Sequence, residues 1–552
     1  MGGEIFRSCP NLQSVDLPEH ITYIGVLVFA DCYSLQHVNL PSKLSSIELG
    51  AFQNCSNLRS ITLPDTLVSI GNGTFQNCSN LQTLTLPNSL TSIGKDAFAN
   101  CSQLFIYGSN EVARKAAEEN DLNYLDLTIL EKTDEDAFEY YKAEAKAGNL
   151  AAAYHLGLCY ENGIGTKVNL KNAAAQYKKA AESKKRPYVP AMYDYARCCE
   201  NGIGVSRNVK RAVQWYETAA ELDNANAMNA LGMCCENGVG VEQSYEIAVG
   251  WYRRAIRWNH AGAMYNLGLC YEAGRGVGQS DEIAMEWFLK AAELGNADAM
   301  NHLGMLSESA QDIEKGAEWY QKAADLGHAP GMTNLGECFY LAKDYEKAVE
   351  WYLKAVEQEY APAMNNMGLC YYNGHGVARN YDTAVEWYEK AVALDDTSAM
   401  CSLGKCYENG RGVKESAKKA LEWYRKAANL GDVSGMSLVG DCYARGLGVE
   451  QSFDKAAEWY LKAGNLSAVH NIGDYYYNGR NVKKNEGKAA KWYLAAAEAG
   501  YAPSMNWIAY CYYYGHGVEQ SYEKAAYWYQ KALDSGYESA RTGLERVQEH
   551  LK

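Results

Sequence analysis

The residues with which this chain could do chemistry are its 17 cysteines, its 10 histidines and a recurring Gly-x-Gly. Thiols can form disulfides, bind metals or act as nucleophiles, but their placement points elsewhere. Cys159, Cys198, Cys234, Cys270, Cys338, Cys370, Cys406, Cys442 and Cys511 hold one repeat position. Equivalent points on stacked helices lie ~9–10 Å apart, beyond the ~7 Å between Cα atoms that a disulfide can bridge. These cysteines read as small buried apolar side chains. A second column, Cys9, Cys32, Cys55, Cys78 and Cys101, recurs every 23 residues. Its coils would stack ~5 Å apart, yet parallel side-chain directions favour free thiols. A chain with this many unpaired thiols suits a reducing compartment. His155 and Cys159 stand at i and i+4 of one helix face, a possible metal pair. A structural site needs about four ligands and no partners accompany them, so neither metal nor cofactor is expected. Gly-x-Gly occurs eight times between Gly163 and Gly517. A phosphate loop follows a strand and appears once; these follow helices and recur, so they read as turns. His375 and His516 fall in such turns and are expected to face solvent. No Ser/His/Asp set or isolated carboxylate pair stands out, and the chain reads as not an enzyme.

At 552 residues and 47% hydrophobic content there is room for several domains. The net charge of −15 argues against nucleic acid as a partner and against docking on anionic lipid. No apolar run is long enough for membrane insertion. Residues 1–9 have neither the charged nor the apolar part of a secretion leader, so a cytoplasmic location is expected. The first 23-residue coil supplies only its second half and no cap. If the N-terminus is truncated, the alternative is a cell-surface or secreted protein. The oligomeric state is not legible.

The elements that must position these residues are repeats. Through residue 127 the period is 23, marked by Phe6, Phe29, Phe52, Phe75 and Phe98 and by Leu12, Leu35, Leu58, Leu81 and Leu104. Pro18, Pro41, Pro64 and Pro87 follow short alternating strands. Each unit is one coil of a solenoid, too small to bury its apolar face alone. Residues 105–127 read as a strand–helix–strand closing cap. A polar linker, 128–133, separates this from residues 134–552, where the period is mostly 36. Gly157, Gly232, Gly268, Gly304, Gly336, Gly368, Gly404, Gly440 and Gly473, with Ala196 and Ala509, mark eleven units of two helices, A and B. The stretch 344–355, DYEKAVEWYLKA, is a clear copy of helix B. Asn169, Asn208, Ser244, Ser280, Asp312, Asp344, Asn380, Ser416, Ser452, Asn485 and Ser521 are predicted to cap helix B, at ~1 kcal/mol each. Ala348, Tyr352 and Ala355 share one face of their helix. The small helix A residue is expected opposite small helix B alanines, with the aromatic filling the space beside them. Residues 135–146 read as a front capping helix and 538–552 as a solvating end helix. Two successive Gly-x-Gly-Val turns are missing between Gly304 and Gly368.

The pattern Ile-Gly-x-x-x-Phe-x-x-Cys-x-x-Leu-x-x-Ile-x-Leu-Pro, nearly unbroken over residues 70–87, resembles the BspA-like leucine-rich repeat. Ala-x-x-x-Leu-Gly-x-x-Tyr, Gly-x-Gly-Val and Lys-Ala-x-x-Trp-Tyr-x-Lys-Ala-Ala resemble the Sel-one-like repeat, a cousin of the tetratricopeptide repeat. The resemblance implies a β-rich leucine-rich solenoid followed by an α-solenoid. Secreted members of the second family pair two cysteines within a unit, and the second cysteine is missing here.

The resemblance also implies a scaffold or adaptor that binds extended protein segments. In tetratricopeptide repeats helix A lines the concave groove, and an Asn at the matching place bonds peptide backbone. Just before the Leu-Gly pair this chain carries His155, Asp194, Asn266, His302, Asn334, Asn366, Ser402 and Asn471, interrupted by Ala230, Leu438 and Trp507. Four residues past the Gly column stand Glu161, Glu200, Glu236, Glu272, Glu308 and Glu408, with Tyr340, Tyr372, Tyr477 and Tyr513 in other units. A groove so lined would prefer protein or peptide partners with basic segments. BspA-like arrays also occur on cell surfaces, so an adhesin is the alternative. A β-lactamase-like hydrolase, ascribed to some secreted Sel-one-like proteins, finds no catalytic set here.

Overall fold

The computed structural model describes residues 2–101, 104–120, 122–183 and 187–552. The chain forms two compact units, Met1–Leu294 and Gly295–Lys552.

The first unit begins with short parallel strands in a register of 23. Val15 pairs with Val38, Ile24 with Ile47, and Ile47 with Ile70. The period comes from what stacks inside. Phe6, Phe29, Phe52, Phe75 and Phe98 lie ring on ring, with centroids 5.3–5.9 Å apart. Beside them the thiols of Cys32, Cys55, Cys78 and Cys101 each donate to the carbonyl of the preceding coil's phenylalanine, Cys55 Sγ to Phe29 O at 3.1 Å and Cys78 Sγ to Phe52 O at 3.2 Å. Asn54, Asn77 and Asn100 hold positive φ and pass a side-chain hydrogen bond from coil to coil, Asn77 Nδ2 to Asn54 Oδ1 at 2.6 Å. Asn tolerates the left-handed conformation, and its amide can both donate and accept. Strand Phe105–Gly108, helix Glu111–Glu119 and strand Asn123–Asp126 close the array.

The stretch read as a linker is built structure. Leu127–Glu131 is a 3-10 turn, Ile129 is buried, and Thr133 caps helix Asp134–Ala147. Among the described residues four helix pairs follow in this unit, beginning with Leu150–Asn162 and Leu170–Ala181. One side of the coils packs on the loops between these pairs. Phe105 meets Tyr188 edge-on at 5.0 Å. Gln82 Nε2 donates to Leu222 O at 2.8 Å, Arg59 pairs with Asp223, and His37 meets Trp258 at 4.4 Å.

The second unit holds seven further pairs among the described residues, from Ala297–Ser309 with Ile313–Asp325 to Ala502–Tyr514 with Tyr522–Asp534. The end helix Arg541–Leu551 does more than solvate: Val547 is buried, and Gly543 lies against the Tyr529 ring.

All eleven predicted caps accept a backbone N–H in the first turn of helix B. Helix A has caps of its own. Helix A is capped by Asn149, Asn224, His260, Asn296, His328, Asp396, Asp432 and Asn465.

The Gly column has a different job from the one expected. A Cβ on Gly232 would sit 2.3 Å from Tyr252 Cε1, and one on Gly404 2.4 Å from Tyr424 Cε1. The glycine faces the ring of helix B, and at Gly336 the Ala348 carbonyl lies near as well. The turns serve contact between repeats. Gly412, at φ 71°, would place a Cβ 2.2 Å from Tyr381 O, so only glycine lets this turn rest on the start of the preceding helix B.

Candidate functional site

The candidate surface is the face of helix A, set by the helix pairs just described. Seen residue by residue, the polar ladder is mostly occupied.

In the first unit His155 is wedged between Tyr141, stacked at 5.2 Å, and Tyr107 of the closing strand at 6.4 Å. Burial pushes its pKa down to about 4. Asp194 is 9% exposed. It accepts from Tyr154 Oη at 3.0 Å and from Arg197 Nε at 3.2 Å. Its carboxyl is raised by burial, against the pull of those two partners. Asn266 Nδ2 donates to Asn229 Oδ1 at 3.0 Å.

In the second unit Asn334 Nδ2 donates to Asn301 Oδ1 at 2.9 Å, Ser402 Oγ to Asn365 Oδ1 at 3.1 Å, and Asn366 Nδ2 to Glu337 Oε2 at 3.5 Å. His302 is half-buried and Asn471 exposed. The recurring bond joins a ladder residue to the residue just before the ladder position in the preceding repeat, as in 154–194, 229–266, 301–334 and 365–402. The ladder stitches helix A to helix A.

The glutamate column is committed as well. Tyr177 Oη donates to Glu161 at 2.5 Å, Tyr216 to Glu200 at 2.7 Å, Tyr252 to Glu236 at 2.7 Å, Tyr320 to Glu308 at 3.0 Å and Tyr424 to Glu408 at 2.9 Å. Buried hydroxyls need an acceptor, and the carboxylate above each ring supplies it. Burial first, and then the adjacent carboxylate, raise these phenols well above their usual range. Arg197 and Arg445 further hold Glu161 and Glu408. In the repeat of Glu272 the ring is Phe288, which has no hydroxyl to donate.

Where the column holds Tyr340, Ala444 or Tyr477, an acid stands three residues back. Tyr352 donates to Glu337 at 3.3 Å, Tyr460 to Asp441 at 2.6 Å and Tyr493 to Asp474 at 2.5 Å. Positions i and i+3 share a helix face, so either reaches the same phenol. The acidic groove expected from the sequence is thus a set of hydroxyl acceptors. The missed signal was a Tyr 16 residues later in the repeats that keep the Gly-x-Gly turn, on the other arm of the hairpin.

The turn histidines are likewise packed rather than solvent-facing. His375 stacks on Tyr345 at 4.2 Å and bonds Tyr340 Oη at 2.8 Å. His516 lies between Tyr510 and Glu486.

In two repeats helix A leaves a thioether open beside a side-chain amide. Met233 is 47% and Met305 48% exposed. Asn229 Nδ2 reaches Met233 Sδ at 3.8 Å, and Asn301 Nδ2 reaches Met305 Sδ at 3.9 Å. Among the described residues no group of three His, Cys, Asp or Glu is placed to hold a metal. No helix among them is long and apolar enough to cross a membrane.

Repeat by repeat, residues from 150 to 537 match the Sel1 repeat in eleven segments. The chain belongs to the Sel1 repeat family. Ahead of these Sel1 repeats, residues 1–114 match the BspA type leucine rich repeat region in six copies. This Sel1 repeat protein is similar to a protective antigen of uropathogenic Escherichia coli displaying an SLR fold, at 30% identity over 75% of this chain and 91% of that one, TM-score 0.39. It is also similar to a Sel1 repeat protein from Oxalobacter formigenes, at 27% identity over 49% and 96%, TM-score 0.34. The leucine-rich part is similar to a leucine rich repeat protein of T. pallidum, at 34% identity over 19% and 50%, TM-score 0.19. A search of curated proteins finds no match.

Proposed function

We propose that this Sel1 repeat protein is a non-catalytic scaffold that binds extended protein segments along helix A. The observation that carries the reading is the exposed thioether beside a side-chain amide, Met233 with Asn229 and Met305 with Asn301. A soft apolar contact next to a donor suits a peptide, which offers side chain and carbonyl alternately. A basic segment still fits the net charge of −15, but not through the glutamate column, whose carboxylates, Glu272 apart, are bonded to tyrosines. Five of the six column glutamates and the turn histidines His375 and His516 are bonded within the array, which supports a non-enzymatic role. Seventeen unpaired thiols, all but Cys9 buried, suit a reducing compartment, and we place the protein in the cytoplasm on that ground.

The test is selection of unstructured peptides on the immobilised full chain, followed by titration of the selected sequences. Met305→Glu is expected to weaken them about tenfold or more, with the thermal midpoint unchanged. Equal affinity for both proteins would remove this face from the function.

A further inference from the structure

We infer that the first unit carries a binding site for a doubly charged oxyanion, the phosphate group being its biological form, between Arg59, Arg254 and Arg257. A cavity of about 190 Å³ opens where the leucine-rich coils meet the helix pairs, with these three guanidiniums, Gln36, His37 and a single carboxylate, Asp223, in its wall. Asp223 is already spent on Arg59. Two positive charges are left unbalanced in a protein whose net charge is −15. A phosphate dianion cancels them.

The donors are also available. Arg59 Nη1 is paired with Asp223 and its Nε is shielded from solvent, so the exposed Arg254 and Arg257 supply the open donors. Arg254 is held in place from behind: it lies over the Trp251 ring at 4.4 Å, and its Nη2 reaches Ala220 O at 3.4 Å. Burial and then the charge of Arg254 lower the Arg59 guanidinium from its usual range. Burial and then Arg59 lower His37, so that imidazole adds no charge at neutral pH. Glu221 lines the neighbouring cavity, not this one. The volume has room for a phosphate group and several waters, at about 30 Å³ per water. Arginine forks match tetrahedral oxyanions in shape as well as charge.

The experiment titrates the full chain by calorimetry with inorganic phosphate, with a phosphoserine peptide and with its unphosphorylated form, at fixed ionic strength. Phosphate is expected to bind and to raise the thermal midpoint by mass action. Arg254→Gln with Arg257→Gln is expected to weaken it about tenfold or more, and the rise in midpoint that phosphate causes is expected to vanish, measured from each protein's own phosphate-free midpoint. Arg257→Gln alone, on an exposed side chain, should show a smaller loss in the same direction. A phosphopeptide that binds tighter than free phosphate assigns the source to a modified protein, and equal binding assigns it to the free ion. No heat with either at about 10 mM, or unchanged affinity in the double variant, would overturn the site.

Discussion

The leucine-rich coils and the helix pairs each bury one aromatic ring per repeat, but they lean it on different things. Phe29, Phe52 and Phe75 stack on one another, each on the ring of the next coil. Tyr252 and Tyr424 instead lie on a glycine of their own hairpin, and their hydroxyls end on a carboxylate of the same hairpin. In the coils the core lies between repeats. In the helix pairs much of it lies within each one. Repeat arrays sum an intrinsic term and an interface term, and the two halves of this chain weight these terms oppositely. Damage in a coil should travel; damage in a hairpin should stay.

The largest test is Phe52→Ala. The ring is fully buried, and its loss should cost about 3–5 kcal/mol. Hydrogen-exchange mass spectrometry should then show protection lost in the coils on both sides, with Gly295–Lys552 untouched. Loss confined to one coil would break the comparison.

His155, at the seam of coils and helices, comes next. Burial lowers its pKa from 6.5 to about 4, so between these values the unfolded chain binds a proton that the folded chain refuses. The first unit should keep full stability above pH 6.5 and lose on the order of 2–3 kcal/mol as pH falls towards 4. Urea midpoints at neutral and acid pH measure this. His155→Phe should flatten the difference, and an unaltered pH slope would exonerate the histidine.

The smallest test sharpens the hairpin side. Glu408→Ala orphans the Tyr424 hydroxyl and should cost about 1 kcal/mol. Adding Lys405→Asp copies the arrangement of Asp441 under Tyr460 and should recover most of the loss in denaturant titrations. Without recovery, the two acidic positions are not interchangeable.

How far the molecule could be read from its sequence follows from distance along the chain. The caps were legible because Ser452 and its target amide are three residues apart. The periods of 23 and 36 were legible because they repeat. The Tyr–Glu bonds were not, since Tyr216 and Glu200 sit on opposite arms of a hairpin. Sequence spacing placed the glutamates on a face correctly enough, but could not say that a phenol lies beneath them. The ladder was read as ligand-facing because an unpaired Asn in one repeat looks free; its partner, such as Asn301 for Asn334, stands a full repeat away. Least legible was the contact of Gln82 and Arg59 with the loop at Leu222 and Asp223. Those residues follow no periodic rule on the helical side.

The coil thiols have one further consequence. Those of Cys32, Cys55, Cys78 and Cys101 donate to a carbonyl of the coil before, and burial pushes Cys101 up to about 12 and Cys78 well above the usual thiol range. The nucleophilic thiolate is therefore scarce while the coils are closed and appears when one opens. Alkylation at successive cysteines thus becomes a clock on the opening of each coil, read at native positions without any added label.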